Sequence, residues 1–145
     1  MFLESMIAPC GLNCSVCGDA LRKEAPCLGC NGPVEFKPEF CGKNCKIVTC
    51  EIRQKLPEPF CDLCPKYPCE DIMEKETRYA NEYPLNESPI GNLYFIRTHG
   101  MEEFLRQEKE RWTCPECGNI VCVHTGVCSG CGAEYSIRSL KNNRR

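Results

Sequence analysis

The segment CPECGNIVCVHTGVCSGCG, residues 114–132, contains two cysteine pairs of the form C-x2-C, and each pair is followed directly by a glycine. The pairs are Cys114 with Cys117 and Cys128 with Cys131, and ten residues separate them. A glycine after the second cysteine allows the backbone to turn so that its amide groups point at the sulfur atoms. Four thiolates complete a tetrahedral zinc site and leave no open coordination position. The segment therefore predicts a structural metal site formed by these four cysteines.

The stretch between the pairs, NIVCVHTGV, favours a short β-hairpin because it is rich in β-branched side chains and contains Thr-Gly. The whole segment resembles a zinc ribbon of the rubredoxin-like kind. This resemblance implies bound Zn2+, with iron on the same four thiolates as the alternative. Cys122 and His124 lie in the predicted hairpin. We interpret them as a partly buried cysteine and a surface histidine, the alternative being an extra ligand or a redox-active thiol.

Sixteen of the 145 residues are cysteine, a density that indicates either disulfide bonds or bound metal. The other apolar residues supply only a small core, so the cysteines must contribute to stability. Five C-x2-C pairs favour metal, because two thiolates at this spacing share one ion. The start of the chain, MFLESMIAPCG, has neither the basic nor the apolar part of a secretory signal. We therefore expect a reducing, cytoplasmic environment, and no stretch is apolar enough to span a membrane.

The positions of the cysteines divide the chain into three predicted regions. Residues 1–69 form a cysteine-rich metal-binding module, residues 70–112 a helical segment, and residues 113–145 the zinc ribbon with a basic tail. The predicted fold is a small metal-stabilised α+β protein, with a loop-rich cysteine module, about three helices and a C-terminal zinc-ribbon β-hairpin.

Capping signals define the helices of the central region. EDIMEKETRYANEY has acidic residues in its first turn and is stopped by Pro84, and the Ser-Pro pair at 88–89 is an N-cap followed by proline at the first helical position. In GMEEFLRQEKERW, a stripe of apolar residues at helical spacing includes the position of Glu108. We expect the charged residues of these helices to alternate on solvated faces.

The N-terminal module offers more thiols than one metal site requires. Its predicted ligands are Cys10, Cys14, Cys17, Cys27, Cys30, Cys45, Cys50, Cys61, Cys64 and Cys69. One partition joins the pairs 14/17 and 27/30, and another joins 61/64 to two of the cysteines at 45, 50 and 69. A shared multinuclear cluster is the alternative. Together with the C-terminal site, the chain is expected to hold roughly two to four zinc ions.

The order PCGLNCSVC, CLGC, CKIVTC and FCDLCPKYPCE resembles a bacterial and archaeal cysteine-rich family that is known as a domain of unknown function. Its members open with Cys-Gly-Leu-x-Cys-x-x-Cys, and the resemblance covers roughly residues 7–72. It implies metal binding, by zinc or iron, without a known reaction. Cys41 lies outside the family pattern.

The spacing of Cys10, Cys14 and Cys17, C-x3-C-x2-C, is similar to that of radical S-adenosylmethionine enzymes. Such enzymes need a partial α/β barrel, and the sequence lacks the alternation of strands and helices that would build one. An iron–sulfur cluster without radical chemistry stays open as an alternative, held by these three cysteines and a distant one such as Cys69.

The sequence favours a non-enzymatic function, because closed thiolate sites offer no coordination position for a substrate. We interpret the chain as a zinc-stabilised adaptor for a protein partner, with an electron-transfer or redox-sensing iron–sulfur protein as the alternative. Nucleic-acid binding is disfavoured, because the formal charge is −2 and each four-thiolate zinc site adds two negative charges. The basic residues that would carry such binding are Arg138, Lys141, Arg144 and Arg145.

Overall fold

The computed structural model describes residues 2–136, although not the side chains at positions 43 and 44. This part of the chain contains four α-helices: α1 (Glu51–Gln54), α2 (Glu70–Asn81), α3 (Pro89–His99) and α4 (Met101–Trp112). It also contains short 3-10 turns at Glu4–Met6, Cys14–Val16, Val34–Phe36 and Cys61–Leu63, and a π-helical turn at Phe40–Asn44. The helical part of the predicted fold and its small size are confirmed.

The central helices begin and end close to the predicted signals. The first turn of α2 is acidic and contains Glu70, at the positive end of the helix dipole. The Ser88 hydroxyl caps α3 by accepting a hydrogen bond from the Gly91 amide at 2.9 Å. The same hydroxyl donates to the carboxylate of Glu76 on α2 at 2.6 Å. Gly100, with a φ of 91°, forms the corner between α3 and α4.

Two clusters of buried side chains hold the described residues together. The first connects the N-terminal cysteine region to α2, α3 and α4, and its members are Ile7, Ala8, Cys10, Leu12, Cys45, Ile47, Phe60, Cys61, Ile72, Leu93, Ile96 and Phe104. The second packs the end of α4 against the C-terminal cysteine segment, and its members are Phe2, Val16, Leu85, Trp112, Cys114, Val121, Val123 and Cys128. Since cysteines belong to both clusters, several candidate ligands are part of the packed core.

A group of charged side chains lies inside the protein, although the charge pattern of the helices predicted solvated faces. Glu108 on α4 is fully buried, and its carboxylate accepts a hydrogen bond from the guanidinium of Arg111 at 3.2 Å. Arg111 is also buried and donates to Glu87 at 3.3 Å. The expectation of solvated helix faces is wrong here, because the guanidinium compensates the carboxylates and allows them to enter the core.

The predicted zinc-ribbon β-hairpin is not formed as a pair of strands. Residues 2–136 contain no β-sheet, and the C-terminal segment has only isolated antiparallel bridges, between Thr113 and Ile120, Val121 and Cys128, and Val127 and Glu134. Three turns, at 115–117, 123–125 and 129–131, interrupt the segment. The extended stretches between them are therefore too short to form a ladder.

No helix in residues 2–136 is both long and apolar enough to cross a membrane. The basic tail that was considered for nucleic-acid binding, with Arg138, Lys141, Arg144 and Arg145, lies outside the described residues. The division into regions 1–69, 70–112 and 113–145 stays a prediction, and each buried cluster contains residues from more than one of these regions.

Candidate metal centre

Four cysteine sulfurs converge in the C-terminal segment. The Sγ atoms of Cys114, Cys117, Cys128 and Cys131 all lie within 4.8 Å of one another. The separation is 3.7 Å between Cys114 and Cys131 and 3.4 Å between Cys117 and Cys128. Sulfur atoms placed tetrahedrally at about 2.3 Å from a zinc ion are about 3.8 Å apart. The four cysteines named from the sequence are thus brought together and could ligate one metal ion.

The two cysteine pairs share one backbone conformation. The Gly118 amide donates to the Cys114 carbonyl at 2.9 Å, and the Gly132 amide donates to the Cys128 carbonyl at 3.2 Å. Both glycines have positive φ angles, 80° and 77°, and no atom lies within 4 Å of the position that a Cβ would take. The backbone conformation, and not a lack of space, therefore favours glycine after each pair.

A tyrosine that the sequence analysis missed contacts the site. The hydroxyl of Tyr135 lies 3.0 Å from the Sγ atom of Cys114. Its hydrogen bond to the sulfur lowers the pKa of the Cys114 thiol to about 6. Metals bind the thiolate form, which this hydrogen bond stabilises at Cys114. Tyr135 lies beyond the cysteine motif, and no spacing rule connects it to Cys114.

Two further donors come from the cysteine turns themselves. The Nδ2 group of Asn119 donates to the sulfur of Cys117 at 3.4 Å, and the Gly130 amide donates to the sulfur of Cys128 at 3.3 Å. Hydrogen bonds from the backbone and side chain of Asn119 lower the pKa of Cys117. In each pair the first cysteine is buried and the second is exposed. The site therefore lies at the protein surface with one side open to solvent.

His124 connects the C-terminal segment to the N-terminal cysteine region and to α2, and it is half-buried and not the predicted surface histidine. Its Nδ1 accepts a hydrogen bond from the Gly18 amide at 3.4 Å, and its Nε2 lies 3.0 Å from the hydroxyl of Tyr79. Burial lowers the pKa of His124. Cys122 is buried, and its sulfur is not part of the four-cysteine group. The geometry therefore favours structural roles for both residues.

The N-terminal cysteines line two separate cavities. The first N-terminal cavity, of about 60 Å³, is lined by Cys10, Cys14, Cys17, Cys30 and Cys41. The second N-terminal cavity, of about 30 Å³, is lined by Cys50, Cys61, Cys64 and Cys69. The second set matches the predicted partition that joins 61/64 to two of the cysteines at 45, 50 and 69. Cys69 was the distant ligand suggested for an iron–sulfur cluster with Cys10, Cys14 and Cys17. It lines the second N-terminal cavity and not the first.

Two predicted ligands line neither of these cavities. Cys27 is buried, and its amide donates to the carbonyl of Asp19 at 3.0 Å. Cys45 lines a third cavity of about 200 Å³, together with Phe40 and Lys75. Among residues 2–136, only the four C-terminal cysteines place three or more ligand atoms within 4.8 Å of one another. The N-terminal thiols are therefore arranged differently from a preformed single-ion site.

The thiols of the first N-terminal cavity differ in their affinity for protons. Burial raises the pKa of Cys10 to about 12. The thiol of Cys14 donates to the sulfur of Cys30 at 3.6 Å, and this hydrogen bond lowers the pKa of Cys30 to about 7. Cys30 is thus the thiol of this pair that most readily ionises near neutral pH.

Comparison of the chain with models of protein families, with curated proteins and with solved structures gives no match. The resemblance of residues 7–72 to a cysteine-rich family stays a prediction. The function is therefore argued from the sites themselves.

Proposed function

We propose that this protein is a metal-binding protein of structural type, in which Cys114, Cys117, Cys128 and Cys131 bind one zinc ion. The observation that carries the proposal is the convergence of four sulfurs within 4.8 Å, at separations close to those of a zinc–sulfur tetrahedron. Four thiolates fill the coordination shell of zinc. The ion would therefore stabilise the fold and leave no position for a substrate.

The proposed ion would fasten the C-terminal segment to the end of α4. Trp112, the last residue of α4, belongs to the same buried cluster as Cys114 and Cys128. A structural zinc site contributes on the order of 10 kcal/mol to folding. Since two of the eight buried members of the second cluster are ligands of the proposed ion, loss of the ion is expected to unfold the segment and loosen α4.

The test compares two cysteine variants. Cys117→Ser removes an exposed member of the four-cysteine group, whereas Cys122→Ser replaces a nearby cysteine outside it. Zinc per chain, measured by elemental analysis, is expected to fall by about one ion in Cys117→Ser and to stay unchanged in Cys122→Ser. The melting temperature should fall with the zinc content. A Cys117→Ser variant that retains the zinc content of the wild type would contradict the proposal.

We include in the proposal the role of an adaptor for a protein partner in the cytoplasm. Its support is the closed metal site together with exposed apolar side chains in the N-terminal region, of which Val34 is 58% and Phe40 is 44% exposed. Aromatic side chains are enriched where protein interfaces derive their binding energy. A partner should bind the wild type and Tyr94→Ser, an exposed change on α3, but bind Phe40→Ser weakly. Binding that is indifferent to Phe40 would contradict this part of the proposal.

An iron–sulfur protein is the second candidate function. It is favoured by the five cysteines that line the first N-terminal cavity. Iron and acid-labile sulfide in protein purified without oxygen would support it, and a colourless protein with zinc alone would exclude it.

A further inference from the structure

We propose that the first N-terminal cavity holds a [2Fe–2S] cluster, with Cys14 and Cys30 on one iron and Cys10 and Cys17 on the other. The proposal rests on the second candidate function, to which it adds the cluster type and the ligands, and it shares no residue with the C-terminal zinc site. It depends on the spacing of the sulfurs and on the lining of the cavity.

The sulfur atoms of Cys14 and Cys30 form a pair without a third close ligand. They are 3.6 Å apart, near the ~3.8 Å expected for two thiolates on one tetrahedral metal. Within residues 2–136, no third ligand atom lies within 4.8 Å of both. A single zinc ion requires four sulfurs at such separations, and so does each ion of a thiolate-bridged zinc cluster. In a [2Fe–2S] cluster, inorganic sulfide completes each iron, so each iron needs only two cysteines.

The other two ligands lie on the same stretch of chain as Cys14. The Cys17 amide donates to the Cys14 carbonyl at 3.1 Å, which places both cysteines on one tight turn. Cys10 precedes this turn, lines the same cavity and is 2% exposed. Cys41 reaches the cavity from the separate turn Phe40–Asn44. We therefore assign Cys10 and Cys17 to the second iron, and Cys41 serves as the control.

The lining of the cavity suits an anionic cluster. Leu12, Val16 and Val123 provide apolar walls, which would shield a cluster from water and tune its potential. Lys75 also lines the cavity, and its ammonium group would offset part of the negative charge of four thiolates. The volume of about 60 Å³ is twice that of the second N-terminal cavity. It also exceeds the roughly 10–15 Å³ that a single water molecule needs.

The experiment uses the full chain, purified without oxygen and reconstituted with ferrous iron and sulfide. Iron, acid-labile sulfide and zinc are measured on the same samples. We expect about two irons and two sulfides per chain in the wild type. Cys14→Ser and Cys30→Ser should lose both while retaining the C-terminal zinc, which reports that the variants are folded. Cys41→Ser should retain the cluster.

Two results would overturn the proposal. One is zinc in the N-terminal region together with an absence of iron and sulfide after reconstitution. The other is loss of iron in Cys41→Ser as complete as in Cys30→Ser, because the assigned ligands would then be wrong. Failure of the zinc proposal is recognised separately, since it is judged from the zinc content of Cys117→Ser, whereas iron and sulfide are judged on chains whose C-terminal cysteines are intact.

Discussion

The substitution Gly11→Ala tests the contact between the first cysteine motif and α3. Gly11 has a φ of 96°, and a Cβ atom at this position would lie 2.6 Å from the carbonyl oxygen of Pro89 and 2.8 Å from Cγ of Leu93. Both distances are shorter than real Cβ contacts, and the carbonyl belongs to the backbone and cannot rotate away. The left-handed conformation costs alanine about 1–2 kcal/mol. Overpacking is expected to add about 1–3 kcal/mol.

Gly100 provides the matched control, because its φ is 91° and no atom lies within 4 Å of its Cβ position. Gly100→Ala should therefore lower the free energy of unfolding only by the cost of the left-handed backbone conformation. For a chain of this size, about 3 °C of melting temperature corresponds to 1 kcal/mol. Thermal unfolding followed by circular dichroism should place Gly11→Ala about 3–9 °C below Gly100→Ala. Equal melting temperatures would refute the close approach of the motif to α3.

Three further predictions concern buried or ligand-contacting groups. Burial lowers the pKa of His124, so the unfolded chain binds a proton at a higher pH than the folded chain does. The free energy of unfolding should therefore fall as the pH drops through about 6.5. His124→Gln should weaken this pH dependence in thermal unfolding. Arg111→Met removes the guanidinium that pairs with the buried carboxylate of Glu108. The free energy of unfolding, measured with urea, should fall by about 3–5 kcal/mol. A near-neutral effect would contradict the buried ion pair. Tyr135→Phe removes the hydrogen bond to Cys114. Zinc affinity, measured by competition with a chelator, should fall about 10–100-fold. Unchanged affinity would show that this contact is unimportant.

The C-terminal cysteine group could be predicted because its ligands are local. All four lie within residues 114–131, and the two glycines that follow the pairs set the backbone turns. The helices of the central region were also predictable, since Pro84 and the Ser-Pro pair at 88–89 act on neighbouring residues only. The hairpin was not, because β-branched residues indicate extended backbone but do not show that three turns would interrupt it.

The arrangement of the N-terminal cysteines could be derived from spacing only in part, as for the set 50, 61, 64 and 69. Cys30 meets Cys14 through the packing of loops, and Cys69 faces a different cavity although it was considered as a ligand for the first motif. The buried charges were missed for a related reason. Glu108 occupies an apolar helical position that the periodicity did reveal, but its partners, Arg111 and Glu87, depend on how α4 packs.

The central claim is that the C-terminal cysteines bind zinc in a closed, all-thiolate shell. Zinc K-edge X-ray absorption of the protein as purified tests this most directly. We expect about four sulfur neighbours at about 2.3 Å and no lighter ligand. A nitrogen or oxygen neighbour at about 2.0–2.2 Å, or an absence of zinc, would contradict it, because the site would then be open or would belong to another metal.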